Sequence, residues 1–263
     1  MGLAGALLRW ALQRPDDDLK GLALNLVTEL AGAAVIYFLF ELVIERMERG
    51  EAAKKELEAK KADLIAQMGS QVLGEAIRAV EELRRHGWLH DGSLQGARLG
   101  GANLQGANLV MADLREAFLN GANLQKTYLF RANLQEARLA GAELQRADLT
   151  YANLQEAHLD EAKLQKAFLV QADLQQAYLP KSNLQGVLLA WANLKGAYLE
   201  EADLQGASLI GADLQGANLR EANLQRTEFN RGATLPDGTR WTPETVMARF
   251  TDPDHPDFWR PDA

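Results

Sequence analysis

The chain has 263 residues, of which 47% are hydrophobic, a formal charge of −8 and no cysteine. That composition supplies a core and excludes a disordered tail, a disulfide framework and any cysteine-held metal or thiolate chemistry. The acidic balance argues against a surface built to neutralise phosphate backbones, so nucleic acid is not an expected partner.

Residues 1–20, "MGLAGALLRWALQRPDDDLK", open with a short apolar stretch interrupted by Arg9 and closed by Pro15. The stretch is too short to cross a bilayer and reads as an interfacial helix anchored by Trp10. It lacks the basic start and small-residue cleavage site of a signal peptide, and Ala6 stands where a myristoylation signal has Ser or Thr.

Residues 21–44, "GLALNLVTELAGAAVIYFLFELVI", are predicted to form a transmembrane helix. Their length at about 1.5 Å per residue matches a hydrocarbon core of roughly 30 Å. Glu29 and Glu41 flank the uninterrupted "LAGAAVIYFLF" and so avoid the centre, where each would cost roughly 2.5–3.5 kcal/mol. Asn25, Thr28, Glu29 and Gly32 fall three or four apart on one side of that helix. A small and polar stripe suits contact with another membrane protein or a second copy of the chain; a snorkelling Glu29 is the alternative. Arg46, Arg49, Lys54, Lys55, Lys60 and Lys61 come after the span, which places the C-terminal part in the cytoplasm.

Residues 45–90 read as a stalk and an N-terminal cap made of two helices. The first is highly charged, with a narrow apolar stripe of Met47, Leu57, Leu64 and Met68. Gly69 and Ser70 are expected to stop it and to N-cap the second. The second carries Leu73, Ala76, Ile77, Val80 and Leu83 at helical spacing, ends at His86-Gly87, and is expected to plug the open end of the domain that begins near residue 91.

From Leu94 to Leu224 every fifth residue is Leu, and Phe229 takes the next place. Two residues before each stands Ala, replaced only by Gly92, Thr127, Ser182, Val187 and Thr227. A period of five fits neither a helix nor a flat strand; it marks a chain that turns a corner after every word. The words "ANLQG", "ADLRE", "ANLQE" and "ADLQG" resemble those of the pentapeptide-repeat family over about residues 91–230.

That resemblance implies an all-β solenoid, a right-handed quadrilateral β-helix with four words per coil. The 28 words from Leu94 to Phe229 then make about seven coils, and a β spacing of roughly 4.8 Å per coil gives a rod about 34 Å long. Leu and Ala would fill the axis and leave no room for a ligand, cofactor or small-molecule substrate. Residues 231–263, with Trp241, Phe250, Phe258 and Trp259 among prolines, are expected to cap the far end.

Gln comes after Leu in every second word almost throughout, which puts Gln rows on two opposite faces. The remaining faces carry the variable residues. Stepping by twenty places Phe118, Tyr178 and Tyr198 on one face and Tyr128, Phe168 and Leu188 on the opposite one, with Trp191 read as lying beside Tyr198. These seven are the candidate docking residues. The four histidines are scattered, and neither His86/His90 nor the "DPDHPD" stretch makes a convincing metal site. No phosphate loop, nucleophile elbow or acid-base pair is present, so no enzyme is expected.

The stretches "NLVTELAGAAVIYFLFELVIER", "RRHGWLHDGSLQGARLGGANLQ" and "LPDGTRWTPETVMARFTDPDHPDFW" also resemble bacterial membrane-attached members of the family. The implied protein is a scaffold or accessory subunit held in the bacterial plasma membrane by one span, its repeat domain cytoplasmic. The alternative is a member that mimics DNA and binds gyrase. Residues 91–230 hold sixteen acidic and twelve basic residues, a weak negative balance for such a mimic.

The inward assignment of Leu has a direct test. Leu154→Asp should abolish cooperative thermal unfolding of the repeat, whereas Gln155→Asp should leave a transition close to that of the parent; equal melting of both would reverse inside and outside.

Overall fold

A computed structural model describes residues 17–260. The segment around Trp10 lies outside them. The chain divides into two compact units, one ending at Lys60 and the other beginning at Lys61.

The first unit is helical. Helix α1, Asp17–Met68, runs 52 residues without interruption, so the expected span and the first stalk helix are one element. Gly50 lies inside it. A mid-helix glycine costs only about 1 kcal/mol, and the neighbouring turn is supported by an Arg49–Glu45 pair at 3.0 Å. The apolar stretch is exposed throughout, from Val35 and Ile36 to Phe40 and Val43. Over Asn25–Met68 this helix contains a window long and apolar enough to cross a membrane.

The second unit starts with the last two turns of α1, where Leu64 and Met68 are buried. Helix α2, Leu73–Arg85, turns Ala76, Ala79, Val80 and Leu83 into the same core. Its N-cap is Val72, not Ser70. The Ser70 hydroxyl instead accepts from the Val72 amide at 3.1 Å and donates to Glu75 at 2.7 Å, bracing the connection two residues before the cap. A Cβ on Gly69 would come within 3.2 Å of the Arg98 carbonyl, so only glycine lets this connection lie against the repeat without displacing backbone.

In the repeat, the Leu of each word is buried at 0–1% exposure from Leu94 to Leu219, and the Ala two residues earlier is buried with it. Where a polar residue replaces that Ala, its hydroxyl is satisfied: Thr127 donates to the Leu104 carbonyl at 3.0 Å and Ser182 to that of Leu179 at 2.7 Å. The second residue after each Leu takes left-handed backbone, with φ of 54° to 61° at the non-glycine positions of the corner. This is the corner predicted from the period.

Because the chain turns after every word, no extended strand forms among the described residues; each word contributes one isolated bridge. Parallel bridges join residues twenty apart, from Arg98↔Phe118 through Ser208↔Glu228, and slip by one at Asp213↔Thr234. A twenty-residue step means four words per coil, arranged as four columns of bridge residues. Three backbone bonds per word tie successive coils, as when Leu99 donates to Phe118, Gly101 to Asn120, and Phe118 back to Ala97, at 2.8–2.9 Å.

Both ends borrow acceptors or donors from outside the ladder. At the start, Asn103 donates to the Ser70 carbonyl and Asp113 to that of Leu89, which stand in for a preceding coil. At the other end Leu235 and Phe250 are buried, Phe229 stacks on Trp241 at 6.0 Å, and Glu221 donates to the Thr251 carbonyl at 2.7 Å. Phe250 lies in the short helix α3, Ala248–Thr251.

Leu83→Ala removes a fully buried side chain between α2 and the first coil. A loss of about 2–5 kcal/mol is expected in denaturant unfolding. Hydrogen exchange at the Asn103 and Asp113 amides should accelerate more than at Leu154, and uniform acceleration would remove α2 from its role as the end closure.

Candidate interaction surface

The axis is solid, so every side chain able to meet another molecule lies on a flat side or a corner of the coil. The four flat sides are named by one bridge residue each, in chain order: the Asn103, Tyr128, Asn193 and Tyr178 faces. The Tyr128 and Tyr178 faces are opposite one another.

The Tyr178 face carries Phe118, Tyr178 and Tyr198 in one column, with Arg138 and His158 between them. The Arg138 guanidinium lies 4.8 Å from the Phe118 ring centre. His158, Tyr178 and Tyr198 stack at 4.8 Å and 4.5 Å with their planes within 5°. Those spacings equal the rise of one coil, so in-register backbone bridging produces the stack with no further adjustment. Arg138 and His158 belong to this surface as fully as the aromatics. Stepping by twenty from Phe118 reaches both.

The Tyr128 face brings together Tyr128, Phe168 and Leu188, which are 54%, 43% and 39% exposed. Trp191 does not lie beside Tyr198. It occupies the corner just after the Tyr128 face, and the whole Asn193 face separates it from Tyr198, because proximity along the chain is not proximity around the coil. Trp191, 59% exposed, shares its corner with Met111, Arg131 and Tyr151. Tyr151 meets Phe130 edge-on at 5.7 Å, and the Arg131 guanidinium lies over both rings. The Tyr128 face and this corner therefore form one exposed ridge, apolar apart from Asp148, Arg131 and Gln171. The Trp191 indole is seated on Gly211 of the next coil, where a Cβ would approach its ring to 2.5 Å.

On the Asn103 and Asn193 faces, charge is consumed within the rod. Gln125 and Lys163 both donate to Glu143 at 2.9 Å, Gln155 donates to Asp173 at 2.6 Å, and Arg115 pairs with Asp113 at 2.6 Å. The Arg115 hydrogen bond holds the Asp113 carboxyl below its usual range, and Lys163, with Gln125, does the same for Glu143, in each case against the opposing effect of burial. Depressed carboxylates stabilise the fold above their unfolded pKa values, and that contribution is lost as pH falls through the folded ones.

The corners differ. The corner before the Tyr128 face carries Lys126, Arg146 and Lys166, and the diagonally opposite one, before the Tyr178 face, carries Glu116, Glu136 and Glu156. All six are exposed, and none is in an ion pair among the described residues. A shallow groove of about 320 Å³ runs between those glutamates and the Phe118–Tyr178 column. The histidines outside this column are engaged locally: His86 stacks on Trp88 at 4.2 Å, and His255 accepts from the Asp257 amide at 3.1 Å. Asn25, Thr28, Glu29 and Gly32 are exposed along α1.

The profile described as "Pentapeptide repeats" matches residues 93–129, 127–165, 157–196 and 188–226, half of the chain. The chain belongs to the pentapeptide-repeat family. Together with the twenty-residue ladders, membership implies the right-handed quadrilateral β-helix. Among solved pentapeptide-repeat proteins, HetL from the cyanobacterium Nostoc sp. strain PCC 7120, involved in heterocyst differentiation regulation, is 34% identical. The match covers 56% of this chain and 82% of HetL, with a TM-score of 0.26. A second Nostoc pentapeptide-repeat protein, alr5209, is 33% identical over 39% of this chain and 79% of its own, with a TM-score of 0.27. Full-length QnrB1, a plasmid-mediated fluoroquinolone resistance protein, is 19% identical over 57% of this chain and 84% of its own, with a TM-score of 0.42. No curated protein matches the chain.

Gly211→Ala is expected to cost roughly 1–2 kcal/mol, from left-handed backbone and a displaced indole. Trp191→Ala should cost under about 0.5 kcal/mol. In the double variant the displaced-indole part disappears, so the two costs should sum to more than the observed one; strict additivity in denaturant unfolding would separate Trp191 from its glycine seat.

Proposed function

We propose that this pentapeptide-repeat protein is a non-enzymatic scaffold held in a bacterial plasma membrane, with its repeat domain in the cytoplasm and the apolar ridge around Trp191 as its recognition surface. The observation that carries the scaffold reading is the pairing of a completely filled axis with large aromatic side chains left on the outside. A core of Leu and Ala holds no cavity for a substrate, whereas Trp, Tyr and Met on a rigid surface are the residue types that dominate protein interfaces.

Anchoring rests on α1. Its side chains from Leu30 to Ile44 are apolar at most positions and exposed, and water is a costly surrounding for so much surface. Glu29 and Glu41 are twelve residues apart, about 18 Å along a helix. Each then sits toward one end of a core roughly 30 Å thick, where the penalty of a carboxylate falls. The stripe of Asn25, Thr28, Glu29 and Gly32 is the side of the span that would meet another membrane protein or a second α1. The gyrase-binding alternative loses ground to Lys126, Arg146 and Lys166, since a run of cations along one edge is unlike a phosphate backbone.

Membrane fractionation tests the anchor. The full chain should pellet with membranes, resist high-salt and alkaline washes and dissolve in mild detergent, while Phe38→Arg, placing a cation mid-span, should shift most of it to the soluble fraction. Recovery of the parent chain as a detergent-free soluble monomer would refute the membrane reading.

A further inference from the structure

We infer that the repeat domain recognises a second copy of itself, side by side and running in the opposite direction, with the Tyr128 face of one copy on the Tyr178 face of the next. The inference rests on the scaffold reading and names the partner that its outer faces fit.

The edge charges come first. Lys126, Arg146 and Lys166 form a three-rung basic column, and Glu116, Glu136 and Glu156 form a three-rung acidic one with the same twenty-residue step. Each column stands at left-handed corner positions, and one coil, roughly 4.8 Å, separates its rungs. Three like charges at that spacing on a single edge repel one another, and none of the six is in an ion pair among the described residues, although Glu116 is drawn to the neighbouring Arg115 and accepts from Gln95 at 2.9 Å. A surface carrying the opposite column at the same rise would neutralise all three at once. The molecule carries that surface on its diagonally opposite edge.

Topology then selects the direction. Around the coil, the basic edge borders the Tyr128 face and the acidic edge borders the Tyr178 face, each preceding its face in the chain. If two parallel copies meet through these faces, the basic edge of one lies against the edge that runs from Gly101 to Glu221, and the glutamates face the aromatic corner. Reversing one copy exchanges its two edges. Lys126 then meets Glu156, Arg146 meets Glu136, and Lys166 meets Glu116.

The same register tests itself on the faces, where no further choice is free. The bridge residues fall about four sequence positions, roughly 1 Å, from exact opposition. Phe168 comes opposite Phe118, Tyr128 opposite His158, and Asp148 opposite Arg138. At the other edge Tyr151 falls between Gly121 and Gly141, where no side chain stands in its way, and Trp191 falls about half a coil beyond Gly101, at the start of the rod. Cation against anion, ring against ring and bulk against glycine all result from one alignment. Because the two faces differ, the contact is heterologous, and repeating it gives a row of copies rather than a closed pair.

The test uses the full chain in density-matched detergent, with sedimentation over a range of concentrations. The parent should associate, with association weakening at least tenfold as salt is raised from 0.1 to about 1 M, where the screening length shrinks to about 3 Å. The triple variants K126E/R146E/K166E and E116K/E136K/E156K should each sediment as single copies, having two edges of like sign. Mixing them should restore association, since each then offers what the other needs. Far-ultraviolet circular dichroism and thermal unfolding check that both variants are folded. Single-copy behaviour of the parent at every concentration, or association of either triple variant alone at parental strength, would overturn the inference. A parent that stays single but retains a different protein, lost on Trp191→Ala, would overturn this pairing while leaving the scaffold reading in place.

Discussion

The structure depends on one constraint, a leucine and a small residue that must both point inward once every five positions. Satisfying it forces a corner in left-handed backbone after each word, and many of those corners are occupied by Glu, Lys, Arg, Gln or aromatic residues rather than glycine. Left-handed backbone costs such residues roughly 1–2 kcal/mol each. Burying the leucine returns roughly 1.5–3 kcal/mol, and three inter-coil backbone bonds per word add to it. The inward constraint is thus what each word sets against the strain of its corner and the entropy of ordering its residues. It also explains why the exceptions at the alanine position are Gly, Thr, Ser and Val, which are small and, where polar, donate to a carbonyl.

A second consequence is that every outward position has near neighbours one coil above and one below. Column identity, not local sequence, decides what a side chain touches. On the Asn103 and Asn193 faces the columns alternate carboxylate, amide and ammonium groups, and glutamines reach along the axis to the next carboxylate, as Gln155 does to Asp173 and Gln185 to Asp203. On the Tyr178 face the same geometry stacks rings. At the corners the i+2 side chain leans over the next coil, which is why Lys166 lies over Gly186 and Trp191 over Gly211.

Periodicity makes the inward Leu and Ala and the corner after every word legible without coordinates; the four words per coil come from the family resemblance, and with them counting by twenty puts the two aromatic faces opposite one another. The features that periodicity does not deliver are of two kinds. Arg138 and His158 stay hidden when only apolar residues are followed along a column, although a cation or an imidazole stacks on a ring as readily as another ring does. Trp191 is misplaced when distance along the chain is taken for distance around the coil. The helical part is harder, since no repeat constrains it. The span and the first stalk helix look like two elements but form one, and Ser70 looks like a cap but serves the connection instead. The contribution of Leu64 and Met68 to the closed end has no signal beyond a narrow stripe.

The separation of inside from outside also decides how such a protein can change. A substitution on a flat side, or between two non-glycine residues at a corner, leaves the Leu–Ala axis and the backbone ladder untouched, so its effect on stability is limited to one exposed contact, usually within about 0.5 kcal/mol. Its effect on recognition has no such limit, because a column repeats the same chemistry at a fixed rise and several weak contacts act in register. Charge arranged in columns is thus cheap to hold and effective to display. Three cations on one edge and three anions on the edge diagonal to it persist in a fold that does not need them, and their order is best understood through what lies outside the coil.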